Sequence, residues 1–190
     1  MVSRQLAQLR RRRGLPATEL SARTGIDTSA IYAFERGRRD PRAATLQSWA
    51  RGLDARVIVV STHGLPTAAD TAELIRGYVS AGDQNAATET LLQFTHNLRV
   101  SDPLTVAALT IDEPSDAGAG WAWSIAGIVE LECERVGVPI PEWVAETVGD
   151  PEARWTPWAP ELNELVDVTR VPDALRRRGV LIEAGELESA

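Results

Sequence analysis

The chain has 190 residues, 44% of them hydrophobic and 25% charged, enough for one domain or two small ones and too regular for wholesale disorder. One cysteine, Cys133, excludes an intrachain disulfide, and with only His63 and His96 beside it no metal site or cofactor is expected. The thirteen uncharged residues from Ala117 to Val129 are too few to span a bilayer, and no apolar segment with a small-residue cleavage site follows the arginine-rich start, so a cytoplasmic protein without membrane contact is expected.

The net charge of −7 is unevenly spread. Residues 1–56 hold twelve arginines against five acids, a net of +7, whereas residues 57–190 hold eight arginines against twenty-two acids, a net of −14. A basic head on an acidic body predicts an anionic partner for the one and a cationic partner for the other. Lysine is absent throughout, which reads as codon bias and not as chemistry.

In chain order, Leu6 and Leu9 set an apolar face within SRQLAQLRRRRG, which Gly14 ends as a helix cap. Pro16 opens a second short helix, PATELSART, closed by Gly25. Asp27 stands where an N-cap belongs, with Ile31 and Phe34 at helical spacing before Gly37. Asp40-Pro41 starts a fourth helix through PRAATLQSWARGL, with Leu46, Trp49, Ala50 and Leu53 on one face. These four helices make up a domain over residues 1–55. The β-branched run Val57–Val60 predicts a strand in a strand-and-linker segment, residues 56–65, broken by His63-Gly64-Leu65-Pro66.

The acidic remainder, residues 66–190, predicts amphipathic helices at Thr67–Ala81 and Gln84–Leu98. A weakly patterned connection, Asp102–Gly120, follows, with a short strand around Val106–Ile111. Next come a helix over Trp121–Val136, a proline-forced turn and a short helix at Glu142–Thr147. Helices around Glu161–Val168 and Asp173–Arg178, a cap at Gly179 and an extended Val180–Ile182 complete the chain.

Residues 3–55 carry several signals in register: LRRRRGL, then EL, then TGI, then a helix ending in ERGRRDP, then TL four residues after the proline. This set resembles the Cro/repressor-type helix-turn-helix family, also called XRE. The resemblance implies a regulator that docks on double-stranded DNA with the helix of IDTSAIYAFERG in the major groove. In such a helix Ile26, Ile31 and Phe34 face the core, while Thr28, Ser29 and Tyr32 reach base edges and Ala33 touches at most a thymine methyl. Arg38, Arg39 and Arg42, in the turn and residues beyond, are placed for phosphates, with Arg11, Arg12 and Arg13 adding to the same field. In the family an arginine late in the first helix pairs with a glutamate near the end of the recognition helix, which implies a structural pair between Arg10 and Glu35. Relatives carry Thr or Ser and then Gln where this chain has Pro16 and Ala17, so the side-chain phosphate contact of that glutamine is lost.

One reader helix gives little affinity, so a homodimer is expected, with Val57–Val60 either pairing across its two-fold axis or packing on the body. The segment 140–190, with PEWV, RW, PW, LNEL and ALRRRGVLIEAGELESA, resembles C-terminal regions of helix-turn-helix proteins encoded beside nucleotidyltransferase-type toxins. That resemblance implies an antitoxin that represses its own operon and neutralises a toxin through residues 66–190. Trp155 and Trp158, in WTPWAP, are candidate partner anchors, with core packing the alternative for both. A stand-alone regulator, whose body senses a ligand or only dimerises, is the alternative function.

Catalysis is not expected. There is no Walker loop, GxSxG or HExxH, and Glu130, Glu132 and Glu134 alternate too closely to share one helical face. The arginines of RRRG, Arg176–Gly179, read as a helix C-terminus, with a second nucleic-acid patch as the alternative. The expected fold class is mainly α: an N-terminal helix-turn-helix bundle, a short β-strand and an acidic helical C-terminal domain.

Overall fold

The computed structural model describes residues 2–158 and 164–188. The chain is mainly helical and divides into two compact units, Met1–Val59 and Val60–Ala190.

The first unit comprises α1 (Val2–Arg12), α2 (Ala17–Thr24), α3 (Thr28–Glu35) and α4 (Ala43–Gly52). Helices this short are marginal in isolation, so burial of their apolar faces holds them. Leu6, Leu15, Leu20, Ile31, Phe34, Trp49 and Leu53 form that core, and each fully buried side chain of this size is worth about 1.5–3 kcal/mol. The turn between α2 and α3 is locally encoded. Gly25 adopts φ 71°, which favours glycine, and its N–H donates to the Ser21 carbonyl. The Thr24 hydroxyl donates to the Leu20 carbonyl at 2.7 Å and accepts from the Ile26 N–H at 3.3 Å. Asp27 occupies the N-cap position of α3, although its carboxylate makes no capping bond. Helix α4 begins at Ala43 with Arg42 as N-cap, two residues later than Pro41 suggested.

The strand expected at Val57–Val60 does not form: residues 55–62 have no regular secondary structure. A strand exists only where a second chain segment accepts its ladder, and none among the described residues does so. Val57, Ile58 and Val59 stay exposed, Val59 at 94%.

The second unit comprises α5 (Ala68–Ser80), α6 (Gln84–Val100), α7 (Pro103–Thr110), α8 (Ala119–Val136), α9 (Glu142–Glu146), α10 (Asp173–Arg176) and α11 (Ala184–Glu188). A reciprocal capping box starts α5, with Thr67 and Asp70 each satisfying the other's backbone N–H. Helix α8 packs on α5, α6, α7, α9 and α10. Ile75, Leu91, Phe94, Leu98, Leu109, Ile125, Ile128 and Leu175 are fully buried around it.

The connection expected over Asp102–Gly120, with a strand near Val106–Ile111, contains α7 instead. Thr105, Val106 and Thr110 suit a strand by their branching, but a stronger local signal wins. The Asp102 carboxylate accepts from the Leu104 and Thr105 N–H groups at 3.0 and 3.2 Å and from the Thr105 hydroxyl at 2.6 Å. Pro103 then fills the first turn, where no N–H is needed. Val106 and Leu109, three residues apart, enter the core together.

Near the C-terminus the chain returns in extended form. The Trp155 N–H donates to the Gly179 carbonyl at 2.7 Å and the Leu181 N–H to the Trp155 carbonyl at 2.8 Å, making one parallel bridge between Trp155 and Val180. Of the helix expected around Glu161–Val168, residues 161–163 lie outside the described residues. At its far end Val168–Arg170 forms a single 3-10 turn. Helix α11 lies within ALRRRGVLIEAGELESA, where no helix is predicted beyond Arg178.

Two glutamates of α8 are buried with arginines. Glu132, fully buried, accepts from Arg99 Nε at 3.0 Å and pairs with Arg135. Glu130 pairs with Arg177 and, at 2.8 Å, with Arg178, itself 4% exposed. Arg178 also donates to the Ala174, Val144 and Thr147 carbonyls. Of RRRG, Arg178 is thus an internal clamp, whereas Arg177 and Arg176 stay about half exposed and Arg176 pairs with Asp173 on the surface. Among the described residues no helix is long and apolar enough to cross a membrane.

Candidate nucleic-acid interface

Helix α3 separates its residues by face. Ile31 and Phe34, three apart, are buried, and Phe34 meets Trp49 with ring centroids 6.0 Å apart. Ser29 and Tyr32, also three apart, point outward, Tyr32 with 43% of its surface exposed. Thr28 and Ala33 are half-buried beside them, and Ile26 is half-buried against the core. The helix thus offers a hydroxyl, a phenol and a methyl on its outer side, groups that bond or touch base edges in a major groove.

The arginines surround this face unequally. Arg38, Arg39 and Arg42 are exposed in the turn after α3, where Gly37 at φ 64° redirects the chain. Arg39 also lies over the Phe34 ring, 6.0 Å from its centroid. Arg11 and Arg13 are exposed at the end of α1, and Arg13 pairs with Asp54 at 3.2 Å. Exposed pairs of this kind contribute little and exchange readily for a phosphate. Sequence reading passed over Arg36, whose guanidinium sits over the Tyr32 ring at 5.8 Å. The signal was present, since residues 32 and 36 lie four apart on one helical side.

Arg10 and Glu35 are brought together across 25 residues. Arg10 Nε donates to Glu35 Oε1 at 2.6 Å and Nη2 to Oε2 at 2.8 Å, while Nη1 donates to the Leu15 carbonyl at 2.8 Å. The hydrogen bonds to Glu35 hold the Arg10 guanidinium's proton more tightly than usual, against the opposing effect of burial. This fork ties the end of α1 to the end of α3 and so fixes where the outer face points.

Trp155 and Trp158 belong to the second unit. Trp155 is half-buried, meets Trp121 edge-on with centroids 5.0 Å apart, and carries the bridge to Val180. Its ring packs within the unit, in line with the core-packing alternative that sequence reading gives for it. Trp158 is half-buried against the core and lines a shallow groove with Leu165, Val166, Glu183 and Glu186. Cys133 is fully buried, and burial pushes its thiol up. The neighbouring carboxylates of Glu132 and Glu134 add to this as smaller effects.

Comparison with known proteins agrees with this geometry over the first unit. The helix-turn-helix family HTH_3 matches residues 6–57. The chain is similar to the uncharacterized HTH-type transcriptional regulator y4dJ of Sinorhizobium fredii. The two are 40% identical over 53 residues, which cover 28% of this chain and 69% of that protein. No solved structure matches.

Proposed function

The chain belongs to the helix-turn-helix family of DNA-binding transcriptional regulators through its first unit, and from that premise we propose that it is a homodimeric repressor and the antitoxin of a toxin-antitoxin pair. In this reading Thr28, Ser29, Tyr32 and Ala33 meet base edges, and Arg11, Arg13, Arg38, Arg39 and Arg42 meet phosphates. Two heads then span half-sites about 34 Å apart on a palindromic operator. The exposed Val57–Val59 supports a pairing of two copies at this segment, since it offers backbone groups and β-branched side chains that no strand among the described residues takes up.

The observation that carries the antitoxin reading is how the second unit spends its charges. Six of its eight arginines are turned inward or sideways onto its own acids: Arg99 and Arg135 to Glu132, Arg177 and Arg178 to Glu130, Arg176 to Asp173, and Arg170 to Asp167 and Glu183. With twenty-two acids against eight arginines beyond residue 56, the surplus carboxylates are left to face outward. Such a surface attracts a cationic protein and repels nucleic acid. The resemblance of residues 140–190 to regulators encoded beside nucleotidyltransferase-type toxins supplies the class of partner.

The test is co-purification with the product of the gene adjoining its own, followed by binding to the DNA upstream of both. The expected result is a stoichiometric complex that needs residues 66–190, and site-selective DNA binding by the free protein that weakens steeply with salt. DNA binding without any complex would overturn the antitoxin reading in favour of a stand-alone regulator.

A further inference from the structure

The second unit carries an apolar seam on its outside that its own fold does not use. Leu74, Gly77, Tyr78 and Ala81 recur at three- and four-residue spacing along α5 and its C-cap, opposite the buried Ala68, Ala72 and Ile75. Together with Asp70 and Glu73 they line an open groove of about 660 Å³. Leu74 is 48% exposed and Tyr78 38%. Three- and four-residue ridges of this kind are the surface into which another helix packs.

Gly77 is the residue that asks for an occupant. Glycine disfavours a helix interior relative to alanine, and here no internal contact demands it, since a Cβ at this position would meet nothing within 4 Å. Nor is its φ in the left-handed region. What glycine does provide is a notch between Leu74 and Tyr78, one turn from the small Ala81, where a second backbone can approach closely.

The charges select the occupant. Asp70 and Glu73 place two carboxylates along the groove, whereas Arg76 donates to the Ser115 hydroxyl at 3.3 Å and does not line it. A second copy would set one strongly acidic unit against another, which opposes self-docking. We infer that this groove seats an amphipathic helix of a cationic partner protein, with an aliphatic side chain in the Gly77 notch and Arg or Lys against Asp70 and Glu73. This rests on the reading of the protein as the acidic half of a toxin-antitoxin pair and names the face that does the capturing.

The experiment measures binding of the purified adjoining-gene product to the full-length chain and to three variants: Leu74→Glu, Gly77→Gln and Glu73→Arg. Gly77→Gln fills the notch with a better helix former, so its thermal midpoint stays level or rises and a folding defect is not an explanation. About tenfold or greater weakening in each variant is expected, as for the centre of an interface, with circular dichroism and operator binding unchanged. Equal affinity for all four proteins overturns the groove while leaving the antitoxin reading standing. No binding by the unaltered protein overturns both. Self-association that Leu74→Glu abolishes, seen in sedimentation without the partner, overturns the proposal in favour of a second copy.

Discussion

Gly120 lies flat beneath the indole of Trp155, so close that a Cβ at that position would overlap the ring atoms Cε2, Nε1 and Cδ2. The glycine near the start of α8 and the tryptophan of the returning extended segment therefore define each other's place. The contact seats Trp155 against Trp121 and aligns its backbone with residues 179–181.

Gly120→Ala should accordingly destabilise the second unit by about 1–3 kcal/mol, the usual range for overpacking a filled site. Urea unfolding followed by tryptophan fluorescence reads this directly. The head's binding to DNA should survive, because the substitution touches none of its core. An unchanged midpoint would show that the ring moves aside freely.

Arg10→Ala leaves the Glu35 carboxylate, with only 10% of its side chain exposed, without its fork. Removing one partner of a nearly buried pair typically costs about 3–5 kcal/mol, so the head should unfold at a much lower urea concentration. Arg10→Lys should fall in between, since an ammonium cannot make both parallel bonds and still reach the Leu15 carbonyl.

The reader face and the phosphate face should separate in their salt behaviour. Ser29→Ala with Tyr32→Ala should lower affinity for the operator by about 1–3 kcal/mol per lost base contact and leave non-specific binding nearly intact. Arg39→Ala should instead weaken all sequences alike and reduce the slope of log K against log salt by about 1. Fluorescence anisotropy with operator and scrambled duplexes over a salt series distinguishes the two. Arg36→Ala, which removes the cation over Tyr32, should act like the reader variants and not like Arg39→Ala.

Asp102 caps α7, and the Thr105 hydroxyl and N–H hold its carboxyl below the usual carboxylate range. A carboxyl lowered in the folded state adds stability that is present above its unfolded value and is lost as pH falls through its folded value. The first turn of α7 should therefore stay closed at neutral pH and fray only in acid beyond the ordinary aspartate range. Amide exchange at Leu104 and Thr105 should accelerate there first, and in Asp102→Ala at every pH.

Much of the head was legible because its determinants are local. Caps, glycine turns and apolar spacing within α1 to α4 involve residues a few positions apart, and they locate the exposed side of α3. Arg10 and Glu35 were paired by resemblance and not by spacing, since 25 residues separate them. Arg36 was legible only through its spacing of four from Tyr32, a signal that the neighbouring arginines obscure.

In the body, periodicity alone predicted α5, α6 and α8, because helices of thirteen to eighteen residues with apolar faces announce themselves. Branched residues hid α7, where the cap from Asp102 outweighed strand propensity. The strand at Val57–Val60 failed for the opposite reason: propensity was present, but a ladder needs a partner that one copy does not supply. In sequence, Glu130 and Glu132 read as residues that alternate too closely to share one helical face, and RRRG as a helix C-terminus. Only the tertiary structure, by carrying Arg178 across 48 residues to Glu130 and Arg99 across 33 to Glu132, buries the two glutamates and Arg178 with their charges met. A local sequence pattern determines which helices form, because a helix is satisfied within four residues. Packing decides which charges are buried, because desolvating an ion is tolerable only where a distant partner arrives to meet it.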